Sequence, residues 1–151
     1  MRRVSEIRTL PYPAHRMFDL VADIEAYPKF VPWCSAVRKV EQMSAGSDTV
    51  VIADLIVAFS ALRETLRTRV VLTGDHSAIT VSYVGGPLKN LNSGWKFRGI
   101  SDQESEVEFA AEFAFRSKIL ETLFGWHFDR AMQSVVSAFE RRAAELYGSQ
   151  D

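Results

Sequence analysis

The chain has 151 residues, a formal net charge of −1, and 47% hydrophobic and 25% charged residues. This composition is that of a globular chain long enough to bury one core, and it argues against general nucleic-acid binding, which requires a basic excess. The single cysteine, Cys34, excludes an internal disulfide framework and favours a reducing compartment. The N-terminus has no apolar run of a secretory signal, and no stretch approaches the roughly 20 apolar residues of a membrane span. We therefore expect one cytoplasmic domain over residues 1–151, with no DNA partner.

The N-terminal part predicts a strand followed by two short helical segments. Residues 2–10 mix branched and polar side chains, which is typical of a strand, and prolines end it because proline donates no ladder hydrogen bond. Apolar residues between Ala14 and Val21 predict a helix that begins near Pro13, and residues 24–30 predict a second short turn. Residues 27–34 combine three aromatic residues with two prolines, so we expect them to be a stiff, irregular, apolar segment.

The middle of the chain predicts consecutive strands separated by turns. The predicted ranges are residues 37–42, 49–59, 62–72, 78–84, 91–100 and a last strand around 106–116. The period of two is clearest in the last strand, where one side carries Val107, Phe109, Ala111, Phe113 and Phe115. Because short turns join consecutive strands, the sequence predicts an antiparallel sheet rather than parallel crossover units.

The C-terminal part predicts one long amphipathic helix over residues 119–147, ended by Gly148. Its apolar stripe consists of Leu120, Phe124, Phe128, Ala131, Val135 and Phe139, broadened by Leu123, Met132, Val136 and Ala143. Such a helix is about 40 Å long, and its stripe needs a sheet to cover it. The element order therefore predicts an α+β helix-grip fold. A curved antiparallel sheet of about seven strands surrounds a long C-terminal helix, with two short helices after the first strand.

The sequence contains no recognisable catalytic or metal-binding motif. His15, His76 and His127 are scattered without ligand spacing, and we expect His127 to be a core or cavity histidine with a hydrogen-bond partner. Cys34 has apolar neighbours and is expected to be a buried inert thiol. Glu64 shares its strand parity with inward residues, so it is expected to form an ion pair or to lie near a cavity rim. We therefore predict no metal and no catalytic residue.

Two larger residue sets leave alternatives open. An outward basic set is better explained as a solvated sheet face than as an RNA site, and it comprises Arg63, Arg67, Arg69, Lys96 and Arg98. The abundant aromatic and aliphatic residues either fill a core or line an apolar ligand site, and composition does not separate these alternatives.

Three blocks of the chain resemble the coenzyme Q-binding START-domain family. Residues 20–34 resemble its N-terminal signature. Residues 86–91 with 95–97 are similar to its GPF-K-x-L…W-x-F motif, although Leu88 stands where phenylalanine is usual. Residues 113–115, 124–125 and 138–148 resemble its closing helix. These blocks occur in the family's order and span nearly the whole chain.

The resemblance implies a helix-grip fold of the polyketide-cyclase and lipid-transport superfamily, with a cavity between the helix and the sheet. It implies ubiquinone or another isoprenoid quinone as ligand, no cofactor, and a non-catalytic carrier or chaperone role in respiratory electron transport. Transient contact with a membrane's inner face or with respiratory complexes is part of this expectation. The related toxin branch instead binds the large ribosomal subunit and blocks subunit joining. Trp33, where that branch often has glycine, favours the quinone branch. A cyclase-type enzyme is the third alternative.

We expect residues 28–33 to form part of the cavity mouth, and the polar candidates near the cavity are Glu64 and His127. The expected lining comprises Tyr27, Phe30, Val31, Trp33, Leu66, Leu88, Leu91, Trp95, Phe97, Phe113, Phe128, Met132 and Phe139. A domain of this length has a radius of gyration of about 15 Å, which a full polyprenyl tail exceeds. We therefore expect the tail to fold, to protrude into a membrane, or to be shared with a second subunit.

Overall fold

A computed structural model describes residues 2–59 and 62–148, and its helices pack against one face of a seven-stranded sheet. The strands are β1 (Arg2–Leu10), β2 (Cys34–Ala45), β3 (Asp48–Phe59), β4 (Leu62–Leu72), β5 (Ala78–Gly85), β6 (Leu88–Ser101) and β7 (Glu104–Phe115). The helices are α1 (Ala14–Ala22), a 3-10 helix (Ile24–Lys29), α2 (Lys118–Gln133) and α3 (Val135–Tyr147).

The sheet order is β1-β7-β6-β5-β4-β3-β2, and every neighbouring pair is antiparallel. Strands β2 to β7 follow one another through short turns, and only β1 crosses over to pair with β7. Register shifts near Val40 in β2 and near Lys89 in β6 raise the local twist. The sheet is therefore curved and open, and the predicted helix-grip fold is confirmed.

The alternation predicted for β7 is also confirmed, since its odd-numbered residues from Ser105 to Phe115 are buried. The buried side chains form two clusters. The first lies beneath α1 and α3 and includes Val21, Trp95 and Phe139. The second lies beneath α2 and includes Phe113 and Phe128. Three partly buried side chains pack against both clusters, namely Trp33, Leu55 and Met132. The boundary between the two clusters therefore lies in the middle of the space between the sheet and the helices.

The prediction of one uninterrupted C-terminal helix was wrong, because α2 and α3 are separated at Ser134. The Ser134 hydroxyl donates to the Ala131 carbonyl oxygen at 2.9 Å, so the side chain competes with the regular backbone pattern. Leu123, predicted to broaden the apolar stripe, is 53% exposed instead. The buried face of α2 includes Phe124 and Phe128 but does not extend to Leu123, so the apolar stripe is narrower than predicted.

Residues 27–34 are more regular than predicted. The 3-10 helix includes Tyr27 and Pro28, and the backbone N–H of Phe30 donates to the Tyr27 carbonyl oxygen at 3.1 Å. A short 3-10 helix requires few hydrogen bonds, so it tolerates the missing proline donor. The second strand begins at Cys34 rather than at residue 37, and β6 begins at Leu88 rather than at residue 91.

The outer sheet face contains a buried carboxylate held by two exposed arginines, which the sequence did not indicate. Asp54 in β3 is 3% exposed, and its carboxylate accepts hydrogen bonds from Arg67 of β4 at 2.8 and 3.0 Å and from Arg38 of β2 at 2.8 Å. The hydrogen bonds from Arg67, followed by those from Arg38, lower the pKa of Asp54 to about 2. Two members of the predicted basic set therefore pair with carboxylates, since Arg98 also contacts Glu106 at 3.0 Å.

We expect Asp54→Asn to lower the free energy of unfolding at pH 7 by roughly 1–2 kcal/mol, because the arginines lose their anion. A depressed folded-state pKa stabilises the fold above the ordinary value of about 3.9, and this stabilisation is lost as the pH falls through about 2. Urea unfolding at pH 7, 4 and 3 should therefore show a shrinking difference from the wild type. A difference that does not change with pH would contradict this assignment, and exposed Asp102→Asn is the control.

Candidate functional site

An apolar cavity of about 100 Å³ lies where the two clusters meet, between the sheet and the C-terminal helices. Its lining comprises Tyr27, Val31, Trp33, Leu55, Leu66, Thr68, Val81, Leu91, Ser93, Trp95, Phe109, Phe128, Met132, Val135 and Phe139. The sheet supplies the floor from β3 to β7, and α2 and α3 supply the opposite wall. The segment after α1 supplies the remaining side through Tyr27, Val31 and Trp33.

Most of the predicted lining residues are brought together around this cavity. They are Tyr27, Val31, Trp33, Leu66, Leu91, Trp95, Phe128, Met132 and Phe139. Four predicted residues lie elsewhere. Phe30 packs edge-to-face behind Phe139 at a ring-centroid distance of 5.1 Å, and Phe97 faces Phe18 of α1 at 5.6 Å. Leu88 and Phe113 fill the interior of the second cluster beneath α2. Strand parity identified Leu88, Phe97 and Phe113 as inward residues but did not distinguish the cavity lining from the surrounding core.

The sequence interpretation missed six lining residues, namely Leu55, Thr68, Val81, Ser93, Phe109 and Val135. The alternation along each strand contained a signal for several of them. Thr68 shares its parity with Leu66, and Ser93 shares its parity with Trp95. Their small polar side chains concealed the inward position, because polar residues are more often found on the solvated face.

Two of the polar groups at the cavity already have hydrogen-bond partners. The Tyr27 hydroxyl donates to the Val21 carbonyl oxygen, and burial raises the pKa of Tyr27 well above its ordinary value, with further contributions from Cys34 and Asp23. The Thr68 hydroxyl donates to the Ala53 carbonyl oxygen at 3.0 Å. Neither hydroxyl donor is therefore available to a guest in this arrangement.

The indole nitrogen of Trp33 differs from these hydroxyl groups. Its Nε1–H is buried and has no acceptor within the described part of the chain. An unpaired buried donor costs free energy that an acceptor on a ligand recovers. Trp33 therefore places a buried donor without a described acceptor at the boundary of the cavity.

The two polar candidates from the sequence do not line the cavity. Glu64 points inward as its parity predicted and is half-buried, but it lies near the start of β4 and forms no salt bridge among residues 2–59 and 62–148. His127 lies on the surface side of α2, with its ring 5.1 Å from that of Trp126. One residue along a helix rotates the side chain by about 100°, so His127 leaves the face that Phe128 presents to the cavity.

An outer depression of about 370 Å³ lies on the other side of Trp33. It is lined by Pro32, Trp33, Ala58, Trp126, His127, Arg130, Ala131 and Ser134. Trp33 contributes to the lining of both spaces, so its side chain forms part of the wall between the cavity and the surface. The segment predicted to form the cavity mouth thus meets the surface at Pro32 and Trp33.

On the opposite side of the fold, ion pairs connect strand β1 at the sheet edge to the C-terminal helices. Inward-facing Arg2 of β1 pairs with Asp129 of α2. Arg8 pairs with Glu140 of α3 and also donates to the Ser137 hydroxyl at 3.3 Å. These contacts connect the sheet edge at β1 to both helices. On the Trp33 side, the packing against the helices is mainly apolar, and an exposed ion pair between Lys39 of β2 and Glu25 of the 3-10 helix adds to it.

Residues outside the cavity provide little chemistry. Within residues 2–59 and 62–148, no group of three or more histidine, cysteine or acidic side chains is placed to hold a metal ion. Cys34 is buried, and its burial raises the thiol pKa to about 11, which leaves little thiolate at neutral pH. None of the described helices is long and apolar enough to cross a membrane.

The curved sheet, the C-terminal helices and the apolar space between them define a helix-grip domain. Residues 10–140 match the family described as polyketide cyclase / dehydrase and lipid transport, and the chain belongs to this family. The family resemblance seen in the sequence is thereby confirmed.

The relatives of this chain carry two different functional names. The ribosome association toxin RatA of Escherichia coli strain K12 is 35% identical over 99% of this chain and 91% of its own length. The mitochondrial coenzyme Q-binding protein COQ10 homolog B of Xenopus laevis is 31% identical over 97% of this chain and 60% of its own length. The solution structure of the 18 kDa protein CC1736 from Caulobacter crescentus has a TM-score of 0.78 and 41% identity, covering 99% of this chain and 100% of that one.

Proposed function

We propose that the protein binds an isoprenoid quinone of the ubiquinone type in the cavity and carries it for respiratory electron transport. The main observation behind this proposal is the cavity at the meeting of two apolar clusters, whose walls are almost entirely aromatic and aliphatic. Similarity to a relative named as coenzyme Q-binding supports this choice of ligand class. Burying each methylene of an isoprenoid tail contributes about 0.8 kcal/mol, which is a sufficient driving force.

The lining also favours binding over catalysis. Among the described lining residues there is no carboxylate, imidazole, lysine or arginine. Cyclase and dehydrase chemistry requires a positioned general acid or base, and Tyr27 is engaged with a backbone carbonyl and has a raised pKa. We therefore propose a carrier that catalyses no reaction itself.

The ligand requires more room than the cavity provides in this arrangement. Its volume of about 100 Å³ lies below the range of about 300–1,000 Å³ typical of ligand pockets. We propose that movement of Trp33 joins the cavity to the outer depression of about 370 Å³. Met132 assists because its unbranched side chain adapts readily to new packing. Once the two spaces are joined, the quinone ring occupies the cavity and the tail leaves through the depression.

The Trp33 indole N–H, which has no acceptor among the described residues, leads to a specificity prediction. We expect Trp33→Phe to weaken the binding of a short-chain ubiquinone about five- to tenfold, because the quinone carbonyl loses one hydrogen bond. The binding of an isoprenoid hydrocarbon without carbonyl groups should change less than twofold, within the usual effect of a small hydrophobic repacking. Isothermal titration of both ligands measures the difference. Trp126→Phe is the control, and an equal loss for both ligands would refute the hydrogen-bonding role.

Solvent extraction of the purified protein followed by mass spectrometry tests the proposed function. We expect an isoprenoid quinone at close to one molecule per protein when the protein is purified from cells that make quinones. The delipidated protein should take up added quinone again. Extracts without isoprenoid lipid, together with no uptake of added quinone, would contradict the carrier function.

A second candidate function is supported by a specific observation. The relative named as a ribosome association toxin is more similar to this chain than the coenzyme Q-binding relative is, at 35% against 31% identity. Under this alternative, the protein binds the large ribosomal subunit and blocks subunit joining. Delipidated protein that sediments with large subunits, and overproduction that arrests growth, would assign the function to the ribosome.

A further inference from the structure

The outer face of α2 exposes a row of large apolar side chains. Ile119 is 73% exposed, Leu123 is 53% exposed and Trp126 is 63% exposed. Their spacing of four and three residues places them on one helical face, opposite the buried Phe124 and Phe128. The row extends about 10 Å along the helix. Three bulky apolar residues in succession on one surface form a patch rather than scattered exposure.

The charged side chain on this α2 outer face is positive. The guanidinium group of Arg130 lies 4.9 Å from the centre of the Trp126 ring, on the same helical face as the apolar row. The acidic residues of α2, Glu121 and Asp129, lie on other faces and pair with Arg2. The apolar row is therefore accompanied by a cation, while the acidic side chains are directed toward β1.

The α2 outer face also borders the route into the cavity. Trp126 and Arg130 line the outer depression together with Trp33. A partner on this face would therefore lie directly over the wall between the depression and the cavity. The arrangement of an apolar row, a neighbouring cation and an adjacent apolar cavity suits a lipid surface.

We propose that the α2 outer face docks onto an anionic bilayer, with Ile119, Leu123 and Trp126 entering the boundary between headgroups and acyl chains. Helices that lie in this boundary combine tryptophan and aliphatic residues with basic residues, and they insert by about 5–10 Å. A ribosomal RNA surface would instead favour rows of cations facing phosphates, and three bulky apolar residues do not serve that contact. The docking proposal rests on the exposed side chains of α2 and does not depend on the quinone proposal. Docking on a bilayer would also bring an apolar guest close to Trp33.

Vesicle flotation with the delipidated protein tests the proposal. The vesicles contain phosphatidylglycerol and phosphatidylcholine without any quinone, so cavity binding does not contribute. We expect the wild type to float with them. The double variant Leu123→Ser/Trp126→Ser should bind at least about tenfold more weakly. Arg130→Gln should weaken binding to anionic vesicles while leaving the weak binding to pure phosphatidylcholine unchanged.

Leu146→Ser is a matched control, because Leu146 is a helical leucine with a similar exposure of 51%. It should float like the wild type, and circular dichroism of all variants should show unchanged folding. A wild type that does not float, or a double variant that floats equally well, would overturn the proposal. Loss of sedimentation with large ribosomal subunits in the double variant, with flotation retained, would also overturn it and assign the face to the ribosome. Flotation by a cavity variant that no longer binds quinone would separate this result from the proposed function.

Discussion

Replacing Met132 with aspartate is expected to abolish quinone binding while leaving the fold intact. Met132 is partly buried, lines the cavity and packs against both apolar clusters. A carboxylate at this position either loses its hydration in an apolar space or draws water into the cavity. The cost is several kcal/mol, and about 2.8 kcal/mol already corresponds to a hundredfold loss of affinity. We therefore expect at least that loss for a short-chain ubiquinone.

Tryptophan fluorescence quenching by the quinone measures this effect. Trp33 and Trp95 line the cavity, whereas Trp126 is exposed on α2 and provides the background signal. Gln133→Asp is the matched control, because it adds the same charge one residue away at an exposed position. The control should bind like the wild type. Undiminished quenching in a folded Met132→Asp variant would show that the quinone binds elsewhere.

Replacing Phe139 with alanine is expected to have the largest effect on stability. Phe139 of α3 is 4% exposed, and its ring contacts those of Tyr27, Phe30 and Trp95 at centroid distances of 5.2, 5.1 and 5.1 Å. It therefore connects the last helix to both the 3-10 segment and the sheet. Truncating a buried phenylalanine costs about 3–5 kcal/mol, because it removes apolar burial and leaves a void. We expect a loss of unfolding free energy in this range.

Urea unfolding of the purified variants measures this loss. Phe139→Leu should cost about 1–2 kcal/mol, since it retains most of the buried volume. Leu146→Ala on the same helix is exposed and should change the stability by less than about 0.5 kcal/mol. A loss below about 1 kcal/mol for Phe139→Ala would mean that the aromatic contacts do not hold α3 in place.

The regular pattern of side chains made the fold predictable. Strict alternation in β7 identified its inward face, and short turns between consecutive strands predicted an antiparallel sheet. The break at Ser134 was not predictable in this way. Neither glycine nor proline marks it, and serine interrupts a helix only where its hydroxyl turns to the backbone, as it does here toward Ala131.

The position of the cavity was only partly predictable for a different reason. Strand parity assigns a residue to the inward face but does not tell where along the strand the two clusters separate. Trp95 and Phe97 have the same parity, yet Trp95 lines the cavity while Phe97 packs against Phe18. The same holds after α1, where Tyr27 lines the cavity and Phe30 lies behind Phe139. Such distinctions depend on packing between elements that are distant in the sequence.

Methyl NMR of labelled methionine tests directly whether an apolar guest occupies the space between the two clusters. Met132 lines the cavity, whereas Met17 is fully buried away from the cavity lining and Met43 is exposed on β2. Titration with a short-chain ubiquinone should shift the Met132 methyl signal strongly, because the quinone ring comes into contact with it. The signals of Met17 and Met43 should stay nearly unchanged. A bound quinone that leaves the Met132 signal unmoved would contradict the account.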